Sequence, residues 1–311
     1  MSHAAAVAPA ESPPVKRRRF HLTPYSLLFP AVAILLAALA YPVGWQIFAS
    51  VHRYGRAQQF GQPAEFIGAA NYLALVRDPA IWSVVVRSIG FCLVNAVLTV
   101  LIGVGLAVLM NAAAKACRLI LQIGLLLAWA MPVVAAMTVW NWLFQWHTGV
   151  VNQVLTQLGF SFHNHNWLES PLSFYAVATI IVVWMSVPFV AFSVFAGLTQ
   201  ISPEVTEAAQ LDGASGWRRF THIVMPMIRP VLMIVLLLQI IWDLRVFTQI
   251  KLLQDAGAPL SETDLLGTYI YRVSTGVSDF GLAAAMSVFV LLLTLILSAP
   301  YVRSLMKEES L

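Results

Sequence analysis

Charge is what this sequence has least of. Asp, Glu, Lys and Arg make up 10% of its 311 residues, where soluble domains carry about a quarter. That excludes an ordinary soluble globular protein. Cysteine is nearly absent too. Cys92 falls in a long apolar run and Cys117 in a short polar turn. Those two levels are too far apart for a disulfide, and no C-x-x-C spacing offers a metal site. There is no GxxxxGK[ST] phosphate loop, no HExxH and no nucleophile elbow. If the chain moves solute against a gradient, another subunit must handle the ATP. No cofactor is expected on this chain. The formal charge of +4 is modest, and a cluster of four cations at residues 16–19 stands just before the first apolar run. It reads as a membrane-side anchor rather than a nucleic-acid patch.

What is abundant is apolar sequence, 59% of the chain. Runs at about 26–51, 83–110, 119–144, 172–199, 230–247 and 280–302 each reach the ~18 residues a membrane helix needs. The expected fold is all-α: a polytopic membrane protein of six transmembrane helices. Residues 1–24 read as a disordered basic tail, 25–304 as the transmembrane domain and 305–311 as a second tail. With both ends on one side, most Lys and Arg fall on that side: the residue 16–19 cluster, Lys115 and Arg118, Arg218, Arg219 and Arg229, and Arg303 and Lys307. The bias places the polar loop 202–230 in the cytoplasm.

That loop is the largest piece that must live in water. Ser202 is a candidate N-cap and Pro203 suits a first helical turn. Glu204 and Glu207 complement the helix dipole, and Ala208 and Ala209 favour helix without bulk. Gly213 permits a turn, and Ser215 can cap a second helix. In that helix Trp217, Phe220 and Val224 share one face, while Arg218, Arg219 and His222 take another. Pro226 and Pro230 then interrupt it.

The run Glu207-Ala208-Ala209, three residues, Gly213, nine residues, then Ile223-Val224-Met225-Pro226 resembles the EAA loop of permease subunits of binding-protein-dependent ABC importers. The single departure is Met225 where Leu is usual. Asp212-Gly213-Ala214-Ser215 with Trp217 and Phe220 is similar to the carbohydrate branch. So are Phe66-Ile67-Gly68 with Asn71-Tyr72, Gly149 with Asn152, Trp184 with Pro188-Phe189, and Gly281. The resemblance implies a maltose/glycerol-phosphate-type first permease with the type I importer fold. The Gly-rich C-terminal signature of the second permease is missing. Implied partners are that second permease, two ATPase subunits that hold ATP and Mg, an extracellular or periplasmic solute-binding protein, and a carbohydrate substrate in a lipid bilayer. In that reading Glu207, Ala208, Ala209, Asp212, Gly213, Trp217, Arg218 and Phe220 form a coupling helix for an ATPase subunit.

Candidates for the solute pathway are polar groups set in apolar surroundings. Asp243 and Arg245, beside Trp242, stand near the outer end of the fifth run. At i and i+2 they do not face one another on a helix, so each needs another partner or water. A structural ion pair to a neighbouring helix is the competing account. Asn141, Gln145, Ser186 and Tyr271 could bond sugar hydroxyls, and Pro188 should kink the fourth span. Trp140, Trp142 and Trp146 fit an interfacial belt. His163 and His165 lack the further ligands a metal needs. Two other functions stay open: a permease for amino acids, peptides or ions, and an integral membrane enzyme. The second would require catalytic groups clustered at one depth, and none is visible.

Overall fold

The computed structural model describes residues 23–308, with side chains over 27–303. The cations at 16–19, the rest of the N-terminal tail and residues 309–311 lie outside the described residues. The chain divides into two compact units, Met1–Trp45 and Gln46–Leu311. Helix α1, Thr23–Ser50, begins in the first and is apolar, with Pro30 and Pro42 inside it.

The second unit opens on a latch. Strands β1, His52–Arg53, and β2, Glu65–Phe66, pair antiparallel, His52 opposite Phe66. Helix α2, Ala70–Arg77, follows. Its buried Asn71 donates from Nδ2 to the Ser50 carbonyl at 2.9 Å and to the His52 carbonyl at 3.1 Å, and the Tyr72 hydroxyl donates to Ser50 Oγ at 2.7 Å. Gly281 closes the latch from the far end of the chain. Its N–H donates to the Tyr54 carbonyl at 2.8 Å, and a Cβ there would sit 2.5 Å from the His52 carbonyl oxygen. Only glycine permits that approach.

Span-length helices follow: α3, Pro79–Ala112, started by Asp78, whose carboxylate accepts from the Ala80 N–H at 2.9 Å; α4, Lys115–Ala130, and α5, Val133–Leu143; the short α6, Val150–Gln157; and α7, Pro171–Thr199. Beyond the polar loop run α10, Arg229–Leu244, continued by α11, Thr248–Asp255, then the short α12, Leu266–Tyr271, and α13, Phe280–Glu308. Five helices of the described residues can each cross a membrane by length and composition, six if α4 and α5 count as one broken span.

Here one expectation needs correction. The run at 119–144 is not one straight span: α4 and α5 are bent by 101°. The cause is Pro132. It has no N–H to donate, and it pushes the preceding Met131 into extended backbone, φ −71° and ψ 127°. Pro188 does not act that way. Helix α7 runs through it, with Pro188 itself buried. A proline's cost is the same in both places; the packing of its surroundings decides whether the helix ends.

In lipid, apolar burial gains little by itself, and helices associate through close contact. Helix α3 supplies that contact to α7. A Cβ on Gly103 would lie 2.5 Å from Val190 Cγ1. Around this crossing Ala107, Val190, Val194 and Leu198 pack with Ile228 and Val235. Towards the other end, Phe91, Met137, Phe174, Ile181, Ile250 and Leu253 form a second core.

Candidate functional site

The polar loop is built as a pair of short helices. Helix α8, Pro203–Leu211, starts on Pro203 as expected, although Ser202 makes no side-chain cap bond. It ends in a Schellman turn: the Gly213 N–H donates to the Gln210 carbonyl and the Ala214 N–H to the Ala209 carbonyl, both at 3.0 Å, with Gly213 at φ +78°. Any other residue there carries the left-handed backbone at a cost of about 1–2 kcal/mol. Helix α9, Gly216–Arg219, is capped by Ser215, whose Oγ accepts from the Arg218 N–H at 3.4 Å. A wide π turn, Phe220–Val224, then leads through a break at Ile228 into α10.

The side chains of this loop divide cleanly. Glu207, Ala208, Asp212 and Arg218 are exposed, whereas Ala209 is buried against its own chain. Neighbouring helical residues point about 100° apart, so the two alanines cannot serve one surface. Leu211 is 90% and Trp217 75% exposed. Phe220, half-buried, sits with its ring 6.2 Å from that of Trp217. The outer surface of the loop is therefore two apolar side chains, a small Ala208 and a carboxylate, with few bonds of their own. Leu211 was not legible as a surface residue from its apolar character.

A second unusual region lies inside the helices. Asp243 is buried and accepts from Gln239 Nε2 at 2.9 Å through Oδ1. Among the described residues its Oδ2 has no partner, and neither do Gln239 Oε1, Asn95 Oδ1 or Thr99 Oγ1. Cys92 Sγ, 3.6 Å from the Ile240 carbonyl, sets α3 against α10 at this level. Asn95 stands one turn from Cys92 on α3, and Gln239 precedes Ile240 on α10. An orphaned buried polar group costs about 1–3 kcal/mol, so several in one layer call for a reason. Asn95, Thr99 and Gln239 were missed in the sequence; the signal was a polar residue inside a long apolar run.

The other pathway candidates scatter. Ser186, on α7, lies between Met185, which takes a 3.7 Å contact from Gln249 Nε2, and Phe189, whose ring is 5.0 Å from Trp242. Asn141 is half-buried with Oδ1 unpartnered, and the Trp140 ring beside it lies 5.6 Å from Trp184. These contacts bring α5, α7 and the α10–α11 junction together, with Asn141, Ser186 and Asp243 on them. Pro188 faces elsewhere, into an apolar cleft of about 470 Å³ against α3 and α4. Gln145 is exposed, and its Oε1 accepts from the Thr148 N–H at 2.9 Å as a turn cap. Arg245 is exposed and makes no ion pair among the described residues, so it does not neutralise Asp243. The Tyr271 ring lies tilted against Phe247 at 5.3 Å in the loop between the fifth and sixth spans.

That loop between the fifth and sixth spans is held by a satisfied network. Asp264, 1% exposed, accepts from Arg272 Nε and Nη2, both at 2.7 Å, and from Gln254 Nε2 at 3.1 Å. Arg87 reaches across to the Ser261 carbonyl at 3.1 Å, and Ser88 Oγ accepts from the Leu266 N–H at 2.8 Å. Asn152 binds the 145–171 segment in the same manner: Nδ2 donates to the carbonyls of Trp146 and His165, and Oδ1 accepts from Trp167 Nε1. The His165 ring packs on Trp167 and Phe162.

Span-length helices, a broken span, and a capped helix-turn-helix loop between the fourth and fifth spans define a class: a membrane-spanning permease. Residues 99–303 match the model of the binding-protein-dependent transport system inner membrane component, and the chain belongs to that family. It is 40% identical over 289 residues to the diacetylchitobiose uptake system permease protein of Streptomyces coelicolor, covering 93% of this chain and 88% of that one. It is 31% identical to the sulfoquinovosyl glycerol transport system permease protein of Agrobacterium fabrum, over 91% and 90% of the two chains. It is 30% identical to the trehalose/maltose transport system permease protein of Thermococcus litoralis, over 90% and 92%. Among solved structures, a chain of a bacterial alginate ABC transporter in complex with an alginate-bound periplasmic protein superposes with a TM-score of 0.77 at 22% identity, over 90% of this chain and 92% of that one, and shares the fold.

Proposed function

We propose that this chain is the first permease subunit of an ABC importer for a carbohydrate, forming half of the translocation pathway. The observation that carries the reading is the loop: a Schellman turn at Gly213 presents Glu207, Ala208, Leu211 and Trp217 outward, exposed among the described residues. Support for a sugar comes from relatives whose names specify diacetylchitobiose, sulfoquinovosyl glycerol and trehalose/maltose transport. ATP and Mg belong on two ATPase subunits in this reading. A second permease completes the pathway, a binding protein delivers the solute, and both chain ends face the cytoplasm.

Each part has a physical role. An ATPase groove closes on α8; Glu207 meets basic groups there, and Gly213 holds the angle between the two short helices. Movement of that unit rocks α7 and α10, between which it is inserted. The buried layer then serves the solute. Asp243 Oδ2, Gln239 Oε1 and Asn95 Oδ1 are acceptors, and sugar hydroxyls are donors. The rings of Phe189 and Trp242 give an apolar wall beside them. The whole complex should be purified with Glu207→Lys or Gly213→Pro and assayed for ATP-driven uptake. Loss of uptake in both variants is expected; normal uptake in both would overturn the coupling role.

A further inference from the structure

Between the loop and the inner half of α3 runs a groove of about 800 Å³. Its walls change character along its length. Val100, Leu101, Val104 and Val108 of α3 and Leu232 of α10 line the part at membrane depth. At the end of α3 the lining turns polar, with Asn111, Gln210, Thr206 and Arg219. Gly105 lies open on the wall, with nothing within 4 Å of where a Cβ would be.

Arg219 is the telling residue. It is half-buried at the rim; its backbone N–H donates to the Ser215 carbonyl at 2.8 Å, but among the described residues its guanidinium has no hydrogen bond and no ion pair. By contrast Arg118, close by in the chain's next turn, spends its guanidinium on the carbonyls of Met110, Asn111 and Ala113, capping α3. A guanidinium left unpaired where an apolar groove reaches the interface complements one ligand: a phosphate carrying acyl chains. We propose that this groove binds an anionic phospholipid, its chain along Val100–Val108 and its phosphate on Arg219. The apolar stretch matches a chain and the single cation matches a headgroup. The half-buried Phe220 on the same wall supplies the aromatic edge common at such interfaces. The lipid would brace the loop against α3 while leaving Ala208 and Leu211 free on the opposite side. Naming the inner leaflet rests on the cytoplasmic placement of the loop; binding itself does not.

The assembled transporter should be reconstituted in symmetric vesicles of phosphatidylcholine containing a phosphatidylglycerol probe with a photoreactive acyl chain. Because both leaflets hold the probe, an inverted orientation leaves the result unchanged. Peptides spanning 100–112 and 217–232 should be labelled. Arg219→Gln should lower that labelling about five-fold, the worth of one cation at an anionic surface, while Arg303→Gln should not. Gly105→Phe, which fills the groove, should displace the probe even if Arg219→Gln assembles poorly. Equal labelling by a phosphatidylcholine probe, indifference to both groove variants, or protection of the groove by a neighbouring permease helix would each overturn the proposal.

Discussion

The coupling loop and the buried polar layer are unfinished in opposite ways. The loop closes its backbone turns through Ser215, Gly213 and the π turn, and leaves apolar side chains exposed. The layer satisfies its apolar packing and leaves polar atoms without partners. Each deficit indicates what would complete it. Exposed Leu211 and Trp217 beside a carboxylate call for a protein surface. Unpartnered acceptors call for hydroxyl donors. In the proposed function, that difference separates force reception from solute contact within one chain.

The network between the fifth and sixth spans sharpens the contrast, because it is polar, buried and complete. Arg272→Ala leaves Asp264 buried and without its cation, and should destabilise the purified complex by about 3–5 kcal/mol. Asn95→Leu should cost only about 1 kcal/mol, since it loses one bond, from Nδ2 to the Phe91 carbonyl at 2.7 Å, and an oxygen that has no partner among the described residues. Thermal unfolding of the two variants side by side decides the matter. If Asn95→Leu is the more damaging, the layer is structural and the comparison fails. Smaller still is the Arg53–Glu65 pair at 3.2 Å, with both side chains more than half exposed. Its removal should shift stability by at most about 1 kcal/mol, less at high salt.

Sequence patterning went far in the loop, because its chemistry is local. Pro203, Gly213 and Ser215 act on residues within a few positions, and a spacing rule captures them. Tertiary matters were less visible. Pro132 ends a helix and Pro188 does not, though both are prolines in apolar runs; the difference lies in neighbours from other spans. Asn71 and Gly281 were noted as parts of a pattern, yet their shared latch on residues 50–54 depends on contact across more than two hundred positions. Ala209 turns inward by helix geometry alone, and its partner Ala208 does not. Asp243 and Arg245 were expected not to pair by their i, i+2 spacing. The bond from Gln239, at i−4, is the one a helix allows.

The central claim is that the loop transmits and the layer recognises. One experiment reads both: ATP hydrolysis and solute uptake by the reconstituted complex with its binding protein, for Glu207→Lys against Asp243→Ala. Loss of binding-protein-stimulated hydrolysis together with uptake is predicted for Glu207→Lys. For Asp243→Ala, uptake should fall at least about five-fold, the worth of one hydrogen bond of about 1 kcal/mol, while the complex assembles and hydrolysis persists. Retained coupling in Glu207→Lys, or unchanged uptake in Asp243→Ala, would contradict the division of labour.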